Sequence, residues 1–126
     1  MTVLIDSWAW IEFFQGSRAG SVVMGYLDGD SDLIISTVNL AEVYCWILRY
    51  YDESTAEKKR EAMKERCTLI DVDEEIAIQA ARIRNQLKWG LGNSIVCATA
   101  RREAARVLTG DQDYRGQDDV IFLDRS

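Results

Sequence analysis

The sequence predicts an α/β fold, a three-layer sandwich with a mainly parallel central sheet of four to five strands flanked by helices. Short apolar runs near residues 3–5, 33–35, 68–72, 107–108 and 120–123 alternate with longer stretches of helical apolar spacing. Strands separated by helices need crossover connections, and crossovers cover both faces of a sheet. The length of 126 residues suits one domain, 1–126, that buries about two-thirds of its unfolded surface without staples.

The elements follow in order. Val3 to Ile5 is a short apolar strand, after which Asp6 is placed to cap a helix running through Trp8, Ile11 and Phe14 to a stop at Gly16. Val22, Val23, Tyr26 and Leu27 keep helical spacing up to the turn-rich GDSD segment. Leu33 to Ile35 is the second strand, and Asn39 is read as opening a long helix through Val43, Trp46, Ile47 and Tyr50. A polar helix over Ser54 to Arg66 leads to a third strand over Thr68 to Val72. Helices over Glu74 to Lys88 and Asn93 to Ala104 come next, then a strand at Val107 and Leu108, the turn TGDQD and a last strand at Val120 to Leu123. With no proline in the chain, these boundaries rest on Gly, Asn and Asp.

Composition narrows the chemistry. A net charge of −6 opposes nucleic acid at long range, so such a partner would need local basic patches and cations at an acidic site. Cys45, Cys67 and Cys97 form no CxxC or zinc spacing and read as buried free thiols of a reducing cytoplasm. No stretch approaches the ~20 apolar residues of a membrane span, and the start lacks a basic n-region, so a soluble cytoplasmic protein is expected. The absence of histidine removes Ser/His, Cys/His and His-ligated metal chemistry together.

Carboxylates remain. Asp6 and Asp111 each follow a strand, and ligands of open parallel sheets sit beyond the carboxyl ends of the strands. Glu42 and Asn93 stand near helix starts, which completes a set of four polar positions able to meet at one sheet edge. Each has a plainer role: Asp6 and Asn93 as helix N-caps, Glu42 in a capping box with Asn39, Asp111 in a turn after Gly110. Jointly the plain roles weaken, because Asp6 in LIDSWAWI and Glu42 in NLAEVY sit among apolar residues, where a carboxylate needs a partner such as a shared cation.

The segments LIDSWAWIEFF, LAEVY, GLGNSIVCATA and LTGDQDY, in that order across residues 3–123, resemble the PIN-domain ribonucleases, most closely VapC-type toxins of prokaryotic toxin–antitoxin pairs. The resemblance implies a Mg²⁺- or Mn²⁺-dependent endoribonuclease that hydrolyses RNA phosphodiesters, a homodimer, and an antitoxin whose C-terminal segment covers the acidic pocket. It places Asp6, Glu42 and Asp111 on the first, second and fourth acids, Ser7 and Thr109 on hydroxyl positions near the metal, and Asp113 on an accessory acid. Asn93 falls where the family has its third acid. An amide offers a hard cation a neutral dipole in place of a charge, so metal affinity should drop. Asn93 is open to three readings: a natural weak or inactive variant, a substitution that silences a toxic nuclease, or a functional amide ligand. The alternative to an enzyme is an inactive PIN-like module that binds RNA or a protein partner without cleavage. A phosphatase or receiver-type reading lacks the second Asp those families place just after the first strand.

Basic residues offer phosphate contacts. Arg84 and Lys88 precede the Asn93 helix, and Arg101, Arg102 and Arg106 follow it, so some of them are candidates to flank the pocket, against the plainer reading of solvated helix faces. Lys58, Lys59, Arg60, Lys64 and Arg66 alternate with acids and read as an exposed, ion-paired helix. Trp8, Trp10, Ile11, Phe13 and Phe14 make the first helix apolar almost all round, which suits either core packing on several sides or a partner groove that Tyr44, Trp46, Tyr50 and Tyr51 would extend.

Overall fold

The computed structural model describes residues 1–124. Its elements are β1 (Thr2–Ile5), α1 (Ser7–Gln15), α2 (Arg18–Leu27), β2 (Asp32–Ser36), α3 (Thr37–Tyr50) and α4 (Glu53–Arg66). They continue with β3 (Thr68–Ile70), α5 (Glu74–Leu87), α6 (Leu91–Arg102), β4 (Arg106–Thr109), a 3₁₀ turn at Gln112–Tyr114 and β5 (Val120–Phe122). The five strands pair in parallel in the order β3-β2-β1-β4-β5.

Strand alternation sends side chains to two separate cores, as the period of a pleated strand requires. Val3, Ile5, Leu33, Ile35 and Leu108 face α1–α4 with Trp10, Val23, Val43, Ile47 and Met63. Leu4, Ile34 and Val107 face α5 and α6 with Ile76, Ala80, Ile83 and Val96. The result is the expected three-layer sandwich. The order turns back on itself between β1 and β4, and it is at such a switch point that an open sheet leaves a crevice beyond its strand ends.

Helix starts differ from the sequence reading in ways that matter for the site. Helix α3 begins at Thr37: Ser36 is its N-cap, and Asn39 closes the capping box on Ser36, so Glu42 lies inside the helix and takes no part in capping. Helix α6 begins at Leu91 with Gly90 as N-cap, which makes Asn93 the third helical residue and not a cap. Asp6 holds the N-cap position of α1, yet its side chain makes no capping hydrogen bond. Strand β3 and helix α6 end two residues earlier than expected, at Ile70 and Arg102.

Other expectations are corrected by burial. Cys67 is buried and Cys97 partly so, but Cys45 is exposed on α3. Trp10 is buried to 1% exposure in the core and cannot present a partner surface, while Trp8, Phe13 and Phe14 are half-buried against the same cluster. Larger apolar side chains that do reach solvent include Leu48, Tyr50 and Tyr51 at the end of α3 and Val22 and Met24 on α2, with Met1, Ile78 and Leu91 standing apart from them. Helix α4 carries the expected ion pairs, Arg60 with Glu57 and Lys64 with Glu61. Among the described residues no helix is long and apolar enough to cross a membrane.

Candidate active site

The crevice between β1 and β4 gathers the polar side chains that the sequence set apart. Asp6 follows β1, and its backbone N–H extends the β1–β4 ladder to the carbonyl of Leu108 (3.1 Å). Its carboxylate is 3% exposed, accepting from Asn39 Nδ2 at Oδ1 (3.2 Å) and from Thr109 Oγ1 at Oδ2 (2.7 Å). Burial raises its pKa from 3.8 to about 6; the Thr109 hydrogen bond works against that rise, and the charges of Glu42 and Asp111 add to it.

Ser7 Oγ accepts from Asn39 Nδ2 (2.9 Å) and donates to Glu42 Oε1 (2.6 Å), so Asp6 and Glu42 are joined through two neutral side chains. Glu42 itself is exposed, contrary to the buried setting read from NLAEVY. Its other oxygen approaches Gly92 so closely that a Cβ there would stand 3.0 Å from Oε2, and glycine lets the first turn of α6 come against the acid.

The opposite half is built on β4 and α6. Thr109 Oγ1 accepts from the Asp111 N–H (3.1 Å), and Asp111 Oδ1 accepts from the Asp113 N–H (3.0 Å), which shapes the turn after β4. Asn93 Nδ2 donates to Asp113 Oδ2 (2.9 Å) and Asp111 Oδ2 (3.3 Å). The amide thus turns its donor side to the two acids, and presenting its oxygen to a cation requires it to flip and give up both bonds. Tyr114 donates its hydroxyl to the carbonyl of Asn93 (2.9 Å), and burial, followed by the Asp6 charge, holds that phenol well above its usual pKa. Gly110 lies beneath Trp8, where a Cβ would overlap the indole carbons and the carbonyl of Leu123. Trp8, Gly110, Asp111, Gln112 and Leu123 border a cavity of about 340 Å³ beside the acids.

None of the ion pairs among the described residues involves Asp6, Glu42, Asp111 or Asp113. A buried carboxylate faced only by neutral donors and other acids suits a hard divalent cation, and the oxygens of Asp6, Glu42, Asp111, Asp113, Ser7 and Thr109 are the right donor type. The donors fit in kind but do not close: among the described residues no three acidic side chains stand near enough to enclose one ion.

The basic residues divide. Arg84 and Lys88 end α5 beside the start of α6 and, with Leu91, border a cavity of about 400 Å³, which leaves them near the turn of α6 that carries Asn93. Arg101 and Arg102 do not flank the pocket: they end α6, about 12 Å along the helix from Asn93 at 1.5 Å per residue. Arg102 instead pairs with Asp73, Glu75 and Glu103. Asn39 and Gly92 also belong to the site, and nothing in the sequence marks either for it beyond the capping-box spacing of Asn39.

The PIN domain family model matches residues 3–120. A toxin–antitoxin complex from Klebsiella pneumoniae superposes with a TM-score of 0.79 at 24% identity, covering 94% of this chain and 95% of that one. VapBC2 from Rickettsia felis bound to a promoter DNA fragment gives 0.77 at 15% identity, with 98% of both chains covered. VapC20 of Mycobacterium tuberculosis, a sarcin–ricin loop cleaving toxin, gives 0.70 at 13% identity over 90% of this chain and 91% of that one. These likenesses establish a shared fold. The search of curated proteins finds no match.

Proposed function

The chain belongs to the PIN domain family, and from the site it carries we propose that it is a divalent-metal-dependent endoribonuclease of the toxin–antitoxin type, weakened at Asn93. One observation carries the reading: Asp6, buried at the sheet's switch point, shares its crevice with Glu42 and Asp111 and has no cationic partner among the described residues.

Asp6, Glu42 and Asp111, which stand too far apart to enclose an ion as they are, would draw together on Mg²⁺ or Mn²⁺, with Ser7, Thr109 and Asp113 around them. When bound, the ion supplies positive charge against the developing charge of an in-line phosphoryl displacement and acidifies water. The chain's own part is orientation. Thr109 and Asn39 each hold one oxygen of Asp6, which fixes the plane of the carboxylate before any ligand arrives. Arg84 and Lys88, which border one cavity with Leu91 at the start of α6, would meet RNA phosphates there, and their charge would offset the chain's acidity locally. The exposed apolar side chains of α2 and α3, Val22, Met24, Leu48, Tyr50 and Tyr51, offer surface for an antitoxin or a second copy in a homodimer. Neighbours of the same fold whose structures hold a toxin with its antitoxin support such a partner. Three unpaired thiols agree with a reducing cytoplasm.

One observation favours a second reading, a PIN module that binds without cutting. The Asn93 amide spans Asp111 and Asp113 as a donor and neutralises by hydrogen bonding part of what a cation would neutralise by charge. Cleavage of a structured RNA mixture in Mn²⁺ separates the two. The nuclease reading expects Asn93→Asp to cut strongly and the parent chain weakly, with cutting abolished by chelator or by Asp6→Ala. Folded Asn93→Asp that leaves RNA intact gives the lead to the binding module.

A further inference from the structure

We infer that Asn39 is the positioning residue of the site, coupling Asp6 to Glu42 through one buried amide whose remaining atom caps α3. Every polar atom of this side chain is used, and it has no exposure to solvent. Oδ1 accepts from the Ser36 N–H (2.9 Å), which also fixes which end of the amide is oxygen, because a flipped amide would set NH₂ against N–H. Nδ2 then has both hydrogens for the site, one to Asp6 Oδ1 and one to Ser7 Oγ. With its hydroxyl oxygen committed as acceptor to Asn39, Ser7 directs its own hydrogen at Glu42 Oε1. The order of donors runs one way, from α3's first turn through Ser7 to the second acid.

The consequence is that α3's start and the two acids form a single unit. Glu42 is the next residue but two along the same helix, so the turn that Asn39 caps also carries the acid it orients. A buried amide satisfied on all sides costs the full desolvation of its partners when removed, which makes Asn39 rigid where a surface carboxylate such as Glu42 would otherwise be free to turn.

The cation-binding consequence rests on the nuclease reading; the coupling itself does not. The test compares Asn39→Ala with Ser36→Ala, which removes the Ser36 hydroxyl that accepts from the Val38 N–H but touches neither acid. Carbon-13 carboxyl shifts are read in the metal-free protein at pH 8, and Mn²⁺ affinity by calorimetry. Asn39→Ala is expected to move both the Asp6 and the Glu42 carboxyl resonances and to weaken Mn²⁺ at least tenfold, whereas Ser36→Ala lowers the melting temperature and leaves both readouts in place. Asn39→Asp keeps the acceptor for Ser36 N–H while losing both donors, and it should reproduce the carboxyl shifts if the alanine variant folds poorly. A Glu42 resonance unmoved in the Asn39 variants, or shifts of equal size in Ser36→Ala, overturns the inference. Should the parent chain take no Mn²⁺ at all, the nuclease reading fails while the carboxyl shifts still decide the coupling.

Discussion

Thr109 donates a 2.7 Å hydrogen bond to Asp6 across 103 residues of sequence, and the same hydroxyl accepts from the Asp111 N–H. One side chain at the end of β4 thus fixes the acid after β1 and the turn that carries the acid after β4. The two halves of the crevice are registered to each other there.

Thr109→Val keeps the shape and deletes this hydroxyl, leaving Asp6 and the Asp111 N–H each short of a partner. Urea unfolding at pH 8 should show a loss of about 1–3 kcal/mol. Because the Thr109 hydrogen bond lowers the Asp6 pKa, its loss should carry that pKa upward from about 6, read by NMR titration.

Stability should rise on mild acidification in the metal-free protein. Asp6 has its folded pKa raised from 3.8 to about 6, so the folded state binds this proton more tightly than the unfolded chain does. The contribution is complete below pH 3.8 and is lost as pH climbs through about 6, leaving a penalty of about 3 kcal/mol at neutrality. Asp6→Asn should therefore stabilise the metal-free protein at pH 7.5 and flatten its profile between pH 4 and 6, as denaturant midpoints would show.

Asn93→Asp exchanges two donated hydrogen bonds for a further negative charge beside Asp111 and Asp113. Without metal the variant should lose about 1–2 kcal/mol. Saturating Mn²⁺ should raise its melting temperature more than that of the parent, since a ligand stabilises in proportion to how tightly the folded state holds it.

Gly110→Ala forces a Cβ into the Trp8 ring and the Leu123 carbonyl. A loss of about 1–3 kcal/mol is expected, recovered only in part by Trp8→Leu because the backbone clash stays. Thermal melts of the single and double variants measure both.

Much of this arrangement is legible in the sequence because it depends on long-range periodicity. The alternation of strands and helices determines the layers, and Asp6 and Asp111 stand out because one directly follows an apolar run and the other the Thr-Gly turn that ends one. Local signals misled where two uses of one residue compete. Asn39 looked like a helix start, since an Asn three residues before a Glu reads as a capping box; the observed box pairs it with Ser36, and its amide hydrogens reach residues 33 and 32 positions away. Asn93 looked like a cap because Gly90, the real N-cap, has no side chain to announce it. Arg102 looked like a phosphate ligand because its partner Asp73 lies 29 residues back, beyond any spacing rule.

Calorimetric titration of Mn²⁺ at pH 7.5 into the parent chain, Asn93→Asp and Asp6→Asn tests the cation-binding crevice most directly. The account predicts measurable binding to the parent, about tenfold tighter binding to Asn93→Asp, and loss of binding in Asp6→Asn. Unchanged Mn²⁺ binding in Asp6→Asn would contradict it, because the ion would then be held somewhere other than the crevice between β1 and β4.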